Sequence, residues 1–507
     1  MSRTTRAANG FVTGVLQYVS QILVQALLAP FVLKLAGRET LGAFGAIMQV
    51  IGFIALTDVV GSWSLERFLG QAAGLDDGGN RFRTIFTTAR TAFIFQAALF
   101  SILVLVFTFF MARMFHLSPP VALQAQHALY VVAAWAFLRT PLAAYSTASI
   151  ATQDIAAVNL IGTLVGIGRV VASLGFLLAG GGLFGLILAG TVVEVFGYTF
   201  YRVRFQKMNP RLMPGWGIQD KVLLKELIHF GGHATLINLG NSLMFNVGVT
   251  VAGMTRGAAM ASSFYTTQMP TTTAYNMMQR LSDSATPAIN ELWGRSEVEK
   301  IRNALRRITR LLLMLTLPLA VGVLMFNRDL VTTWVGAGQY GGTLLTASLA
   351  AYCVIVSLQR IAIVYWFVFG WMRLLTITCL LQGVANLGLA FYLSKTLGIG
   401  GITLALVIII MPQTIILWHR LGKFLEINVI ALLGESIART AVPLLAASIA
   451  GWEAHRFVII AQHRFASLAA ELGAFAIVYA VAAYPLVLVK QDRDQIKSHL
   501  GSLLVRA

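Results

Sequence analysis

Charged side chains make up only 11% of the 507 residues, and acidic ones are the scarcer kind, 20 Asp+Glu against 38 Lys+Arg. So few charges cannot clothe a water-soluble surface of this size, which excludes an ordinary globular enzyme. Cysteine is nearly absent. Cys353 and Cys379 both lie in apolar runs, where they read as small buried side chains rather than a disulfide framework or a thiolate metal site. No G-x-x-x-x-G-K-[ST] occurs, so nothing points to ATP hydrolysis by this chain. His229 and His233 stand four apart without an H-E-x-x-H pattern or an acidic third ligand, so no metal site is expected. Asp492-Arg493-Asp494 has the D-x-D form of a sugar-nucleotide transferase but sits in a short charged tail, and it reads as solvated terminus.

Apolar residues are what the chain has instead. They account for 57% of it and raise the mean hydropathy to +0.76, the composition of an integral membrane protein. A spanning helix needs about 20 largely apolar residues, and about fourteen such runs emerge. They lie near 11–34, 41–63, 91–112, 127–149, 156–179, 181–201, 227–251, 258–279, 311–327, 341–366, 374–394, 400–418, 440–452 and 466–489. The thirteenth is short and holds Pro443. The first follows Arg3 and Arg6 and is too long for a signal-peptide core, so it reads as a retained span.

The net charge of +18 would suggest nucleic acid in a soluble chain. Here it divides between membrane faces: roughly seven in ten of the bases fall on the side of the N-terminus and the even-numbered connections, which makes both termini cytoplasmic. No nucleic acid is needed to explain it. The longest connections, near 202–226 and 280–310, lie on that side. The second carries Val298, Ile301, Leu305, Ile308 and Leu312 at helical spacing with Arg302, Arg306, Arg307 and Arg310 on other faces, which predicts an amphipathic helix on an anionic leaflet.

An internal repeat accompanies this pattern. Leu35-Ala36-Gly37 and Val251-Ala252-Gly253 end the first and seventh runs at an offset of 216, while Leu138-Arg139 with Tyr145 and Leu358-Gln359-Arg360 with Tyr365 recur at about 220. The expected architecture is all-α, two pseudo-symmetric six-helix bundles at 1–205 and 227–420, a cytoplasmic linker at 206–226, and two further helices with a tail at 421–507.

Polar stripes mark helices that cannot face lipid, because an unpaired amide in hydrocarbon costs several kcal/mol. Thr13, Gln17, Gln21 and Gln25 recur every four residues in the first run, and Thr235, Asn238, Ser242 and Asn246 do much the same in the seventh. The eighth is the most polar, with Ser262, Ser263, Thr266, Thr267, Gln268, Thr271, Thr272, Thr273, Asn276 and Gln279 around Pro270. Helix-to-helix hydrogen bonds would explain any one of these; three stripes at related positions predict a wet central cavity. Arg139, Arg169 and Arg360 lie within spans and outnumber the span carboxylates, chiefly Asp58 and Glu194, so that cavity should be electropositive and suited to a phosphate or acidic sugar. The candidate substrate-binding residues are therefore Arg139, Arg169, Arg360, Arg280, Gln17, Gln21, Gln25, Asn238, Asn246, Gln268 and Gln279. Asp58 and Glu194 are candidates for coupling.

Several local signatures converge on one family: Leu41-Gly42-Ala43-Phe44-Gly45, Asp58-Val59-Val60-Gly61 with Leu65 and Arg67, Pro287, and Trp334-Val335-Gly336 with Tyr340. Over roughly residues 10 to 420 the chain resembles the Wzx-type polysaccharide flippases of the multidrug/oligosaccharidyl-lipid/polysaccharide (MOP) exporter superfamily. Phe44 stands where that family usually has tyrosine, and Val60 where it commonly has leucine. The resemblance implies two six-helix bundles around a central cavity and alternating access that carries a polyprenyl-pyrophosphate-linked oligosaccharide across a bacterial inner membrane. It further implies no enzymatic activity and no cofactor beyond coupling to a proton, sodium or the membrane potential. The lipid-linked oligosaccharide and membrane lipids are the implied partners, with a glycan polymerase and other assembly proteins beside them. The alternatives are a cation-coupled multidrug exporter of the same superfamily, which would want a surplus of cavity carboxylates, and a membrane-embedded glycan polymerase or ligase, which would want a long outward loop.

Overall fold

The computed structural model describes residues 3–56, 62–73, 77–284, 286–457 and 464–488, all helix and short connections with no strand among them. In chain order the helices are α1 (Arg3–Ala55), α2 (Ser62–Ala73), α3 (Asn80–Met114), α4 (Pro119–Ala151), α5 (Ile155–Leu178), α6 (Gly182–Met208), α7 (Lys221–Phe245), α8 (Gly248–Arg256), α9 (Ala258–Ser284), α10 (Thr286–Gly294), α11 (Val298–Val335), α12 (Thr343–Val368), α13 (Met372–Leu397), α14 (Gly400–Phe424), α15 (Val429–Phe457) and α16 (Arg464–Leu486). Among the described residues, ten of these are long and apolar enough to cross a membrane. The protein is a multi-pass membrane protein. The short thirteenth run proves to be the middle of α15, which continues through Pro443 for 29 residues; a proline inside a spanning helix is tolerated where neighbouring groups satisfy the freed carbonyl.

The first two apolar runs share α1, broken at Gly37 by φ 84° and ψ 173°. A residue with a Cβ rarely adopts that conformation. The same conformation, φ 84° and ψ 165°, recurs at Gly257 between α8 and α9, so the repeat runs at 220 here and Gly37 pairs with Gly257 rather than with Gly253. Gly253 meets a different need: a Cβ there would lie 2.9 Å from the Phe115 ring. Matching Ala-Gly strings had concealed two distinct uses of glycine. The correspondence continues in packing, since α4 lies against α3 and α6 with α5 beside α6, and α12 lies against α11 and α14 with α13 beside α14.

The chain divides into two compact units, Met1–Ser262 and Ser263–Ala507. In the first, Phe82 and Phe86 of α3, Tyr145 of α4 and Phe205 of α6 form an interlocked aromatic cluster, with Phe86 edge-on to Tyr145 at 5.2 Å. In the second, Tyr365 and Trp366 of α12 and Trp418 and Leu421 of α14 occupy the related place. Both tryptophans satisfy their indole N–H on carbonyls across the pair, Trp418 on Leu358 at 2.9 Å and Trp366 on Leu417 at 3.4 Å. Elsewhere small residues allow close backbone approach, as membrane helices require. A Cβ on Gly42 would fall 1.6 Å from the Ala258 carbonyl oxygen, which explains the glycine of the Leu41-Gly42-Ala43 signature.

Two connections differ from the sequence reading or sharpen it. The stretch 298–312 is the first part of the continuous α11 rather than a separate surface helix, and its Ile301, Leu305 and Leu312 are buried against α12 and α14. Protein, not lipid, covers its apolar face. The connection after α6 is strapped to α3. Thr87 accepts the Gly215 N–H at 2.9 Å, Thr91 the Gly217 N–H at 3.0 Å, and the buried Arg90 donates to Tyr145 at 2.9 Å and to the Gly215 carbonyl at 2.7 Å under the Trp216 ring.

Candidate functional site: an arginine pair on one carboxylate

The first unit brings three sequence-predicted residues together. Arg139 lies near the middle of α4, Arg169 on α5 and Glu194 on α6. The Arg139 Nε stands 3.2 Å from Glu194 Oε2 and the Arg169 Nη2 stands 3.4 Å from Oε1, so one carboxylate bridges both guanidiniums. Local sequence builds the arrangement. Trp135 and Arg139 share a face of α4 one turn apart, and the Trp135 indole donates to the Thr191 carbonyl of α6 at 2.9 Å, fixing the two helices in register. Tyr198, one turn beyond Glu194, brings its hydroxyl to Arg139. Gly190, one turn before Glu194, leaves the space in which the Arg169 guanidinium lies.

These residues open onto a cavity of about 210 Å³, whose other walls include Phe44, Met48 and Ile51 of α1, Phe100 of α3 and Ile187 of α6. The site carries two positive charges and one negative. Two guanidiniums offer about ten N–H donors, against about four acceptor positions on a carboxylate. The capacity exceeds what Glu194 alone takes up, and the planar fork suits a phosphate or carboxylate oxyanion. The cavity has room for such a group with some water; a sugar chain would have to lie outside it.

The remaining predicted residues are dispersed. Arg360 of α12 belongs to the second unit and lies in the field of the Tyr275 hydroxyl of α9, which also takes the Gln279 amide, while Tyr275 packs edge-on to Tyr352 at 5.3 Å. Beside Arg360, Gln359 donates to Gln413 of α14 at 2.6 Å and Gln413 to Thr378 of α13 at 2.7 Å. In the first polar stripe Thr13 accepts from Asn159 of α5 at 3.2 Å, and a Cβ on Gly162 would meet the Gln17 amide at 2.2 Å, so both residues engage α5. Asn238 is half-buried on α7, Asn246 is exposed at its end, and Gln268 is half-buried on α9. Asp58 lies outside the described residues, as do the side chains of Gln21, Gln25 and Arg280.

Much of the polarity of α9 has a structural use. Thr266 and Thr267 both donate to the Gln339 carbonyl at 3.2 Å, Gly341 donates its N–H to Thr267 at 2.8 Å, and Asn327 donates to Thr346 at 3.2 Å. Ser262, Ser263 and Thr271 are likewise buried. These threonines hold the α11–α12 connection, whose orphan carbonyls supply the demand.

A known family covers this site. The profile of a family described as "Polysaccharide biosynthesis protein" matches residues 40–340, more than half of the chain. The chain belongs to that family. No curated protein matches it. Among solved structures it is similar to the lipid II flippase MurJ in an inward closed conformation, with 13% identity, a TM-score of 0.68, and coverage of 94% of this chain and 97% of that one. An inward-facing multidrug resistance MATE family transporter of the MOP superfamily gives 17% identity, a TM-score of 0.63 and coverage of 81% and 95%. A MOP superfamily transporter from Pyrococcus furiosus, described as having a binding pocket of reverse polarity, gives 15% identity, a TM-score of 0.55 and coverage of 83% and 96%. At such identities the likeness shows the fold alone, and the family match places the chain among polysaccharide biosynthesis proteins.

Proposed function

We propose that this polysaccharide biosynthesis protein is an inner-membrane flippase that carries a polyprenyl-pyrophosphate-linked oligosaccharide to the outer face by alternating access of two six-helix bundles. The observation that carries the reading is the Arg139–Glu194–Arg169 cluster in the wall of a cavity. Both arginines trade their Glu194 contacts for pyrophosphate oxygens when substrate arrives, so substrate and carboxylate compete for the same donors. The released Glu194 then offers a position for a coupling cation, a proton or sodium. Asp58, which the described residues do not include, is the second coupling candidate. Arg360, beside the Tyr275 hydroxyl and Gln279, is a second cationic position, within the second unit, suited to an acidic sugar. Both termini face the cytoplasm, and the glycan polymerase and other assembly proteins would meet the product at the outer face to which it is delivered.

The multidrug exporter is the weaker reading because its cationic substrates want surplus carboxylates, whereas two bases face one acid in the first unit's cavity. The test is complementation. In a strain lacking its own flippase, R139A and R169A should each restore glycan export less well than the unsubstituted chain at equal membrane abundance. Full restoration by both removes the anion role.

A further inference from the structure

The second unit holds another cationic cleft that shares no residue with the Arg139 cluster. It lies between α11 and α15, with a volume of about 310 Å³, and is lined by Arg306, Arg310, Asn428, Glu435, Ser436 and Arg439. Its charges are unequal, three guanidiniums to one carboxylate. That carboxylate is committed to Arg439, which reaches Glu435 Oε1 by Nε at 3.0 Å and by Nη2 at 2.7 Å one turn away on α15. Arg306 and Arg310 are one turn apart on α11 and so present their side chains on the same face. The Asn428 side chain accepts the Ala431 N–H at 3.0 Å, placing the first turn of α15 at the cleft as well.

Height in the bilayer narrows the ligand. Arg310 immediately precedes the apolar run 311–327 of α11, and Asn428, just before the start of α15, lines the same cleft, so the cleft opens at the ends of both helices, where hydrocarbon gives way to headgroups. Beyond Arg439, the exposed Val442, Leu445 and Ile449 continue along α15 as an apolar track. A ligand with a phosphate at one end and acyl chains at the other satisfies both halves of this surface. Guanidinium forks match phosphate oxygens, and basic pockets between helices at this level are where anionic headgroups lodge.

We infer that the cleft between α11 and α15 binds the phosphodiester of an anionic bilayer lipid through Arg306, Arg310 and Arg439, with Glu435 limiting its affinity. The lipid holds α15 against α11 as a fixed constituent of the second unit and is not the transported molecule.

The test uses the full-length protein in neutral detergent, titrated with phosphatidylglycerol or phosphatidylcholine and read by native mass spectrometry, with inorganic pyrophosphate as a competing soluble anion. Phosphatidylglycerol should bind more tightly than phosphatidylcholine. R306Q/R439Q should weaken phosphatidylglycerol binding by about tenfold or more, while R202Q, a change elsewhere on the basic surface, should leave it unaltered. E435Q should tighten it several-fold, a gain that misfolding cannot produce. Phosphatidylglycerol that stays bound in excess pyrophosphate assigns the site to bilayer lipid; its displacement by pyrophosphate assigns the site to the phosphate group and overturns the need for a lipid. Equal binding of the two lipids, or unchanged affinity in both R306Q/R439Q and E435Q, overturns the assignment.

Discussion

Arg169 rests against Gly190: a Cβ on Gly190 would lie 2.6 Å from Nη2 and 2.8 Å from Nε of the arginine. The guanidinium that reaches Glu194 at 3.4 Å does so through space that only glycine leaves open. Because the obstructed atoms are the far end of a flexible chain, G190A should fold normally and turn Arg169 aside. Glycan export should fall about tenfold at unchanged membrane abundance. G175A, where a Cβ meets nothing within 4 Å, should export normally. Equal export by the two variants would separate Arg169 from function.

Arg139 and Arg169 are asked to recognise geometry as well as charge. Lysine keeps the charge but presents a point donor, so R139K and R169K should each retain part of the activity that R139A and R169A lose. The alanine changes should cost about 10- to 100-fold each, from loss of charge-assisted hydrogen bonds of about 1.5–3 kcal/mol. R139A/R169A should be less than additive, because both act on one anion. Export rates normalised to immunoblotted protein measure this. Full additivity would indicate independent roles.

The strap across α3 should be a stability element. Arg90 is 7% exposed and holds Tyr145, the Gly215 carbonyl and the Trp216 ring. R90A removes two charge-assisted hydrogen bonds and a cation–π contact, at a cost of about 2–4 kcal/mol. The detergent-solubilised variant should unfold at lower temperature and be cleaved by protease within 209–220. An unchanged melting curve and cleavage pattern would show that the strap forms without Arg90.

A pH effect is expected at the start of α3. The Asp77 carboxylate accepts the N–H groups of Arg81 at 2.7 Å and Gly79 at 2.9 Å, and these bonds, that from Arg81 first, hold its carboxyl below the usual aspartate value of 3.8. A group depressed in the folded state stabilises above its unfolded value, and the contribution disappears as pH falls through the lower folded value. The first turn of α3 should therefore fray below about pH 4. Hydrogen exchange at Arg81, corrected for intrinsic rate, should rise there, and D77N should abolish the pH dependence. Fraying with the same pH profile in D77N would assign it to another group.

Much of this was legible in the sequence, for identifiable reasons. Helix positions follow from apolar run length, which hydrocarbon thickness dictates. That Arg139, Arg169, Arg360 and Glu194 need partners was legible as a charge balance, because bases and acids inside spans are costly alone; that Arg139 and Arg169 share Glu194 was not. What stayed hidden depends on neighbours in space. The role of Gly190 is invisible until α5 and α6 are packed, and the offset of 216 that pairs Gly37 with Gly253 gave way to the 220 of the other match only when Gly37 and Gly257 shared a backbone conformation. The threonines of α9 look like cavity lining in one dimension. Gln339 and Gly341, which they bind, lie about seventy residues away, a distance no helical periodicity reports. The continuity of 298–312 with the span that follows was concealed because four arginines at a membrane boundary read the same on a surface helix as on the cationic end of a long one.

The central claim is that a net cationic site built on Arg139 and Arg169 moves an anionic, lipid-linked glycan. The most direct measurement reconstitutes the full-length protein in liposomes containing a polyprenyl-pyrophosphate-linked oligosaccharide labelled on its sugar, and follows exposure of the label to a membrane-impermeant lectin. The account predicts that the unsubstituted protein speeds exposure, that R139A/R169A does so at least about tenfold more slowly, and that excess inorganic pyrophosphate slows the former. Equal rates for the two proteins, or export of a cationic dye in place of the glycan lipid, would contradict it.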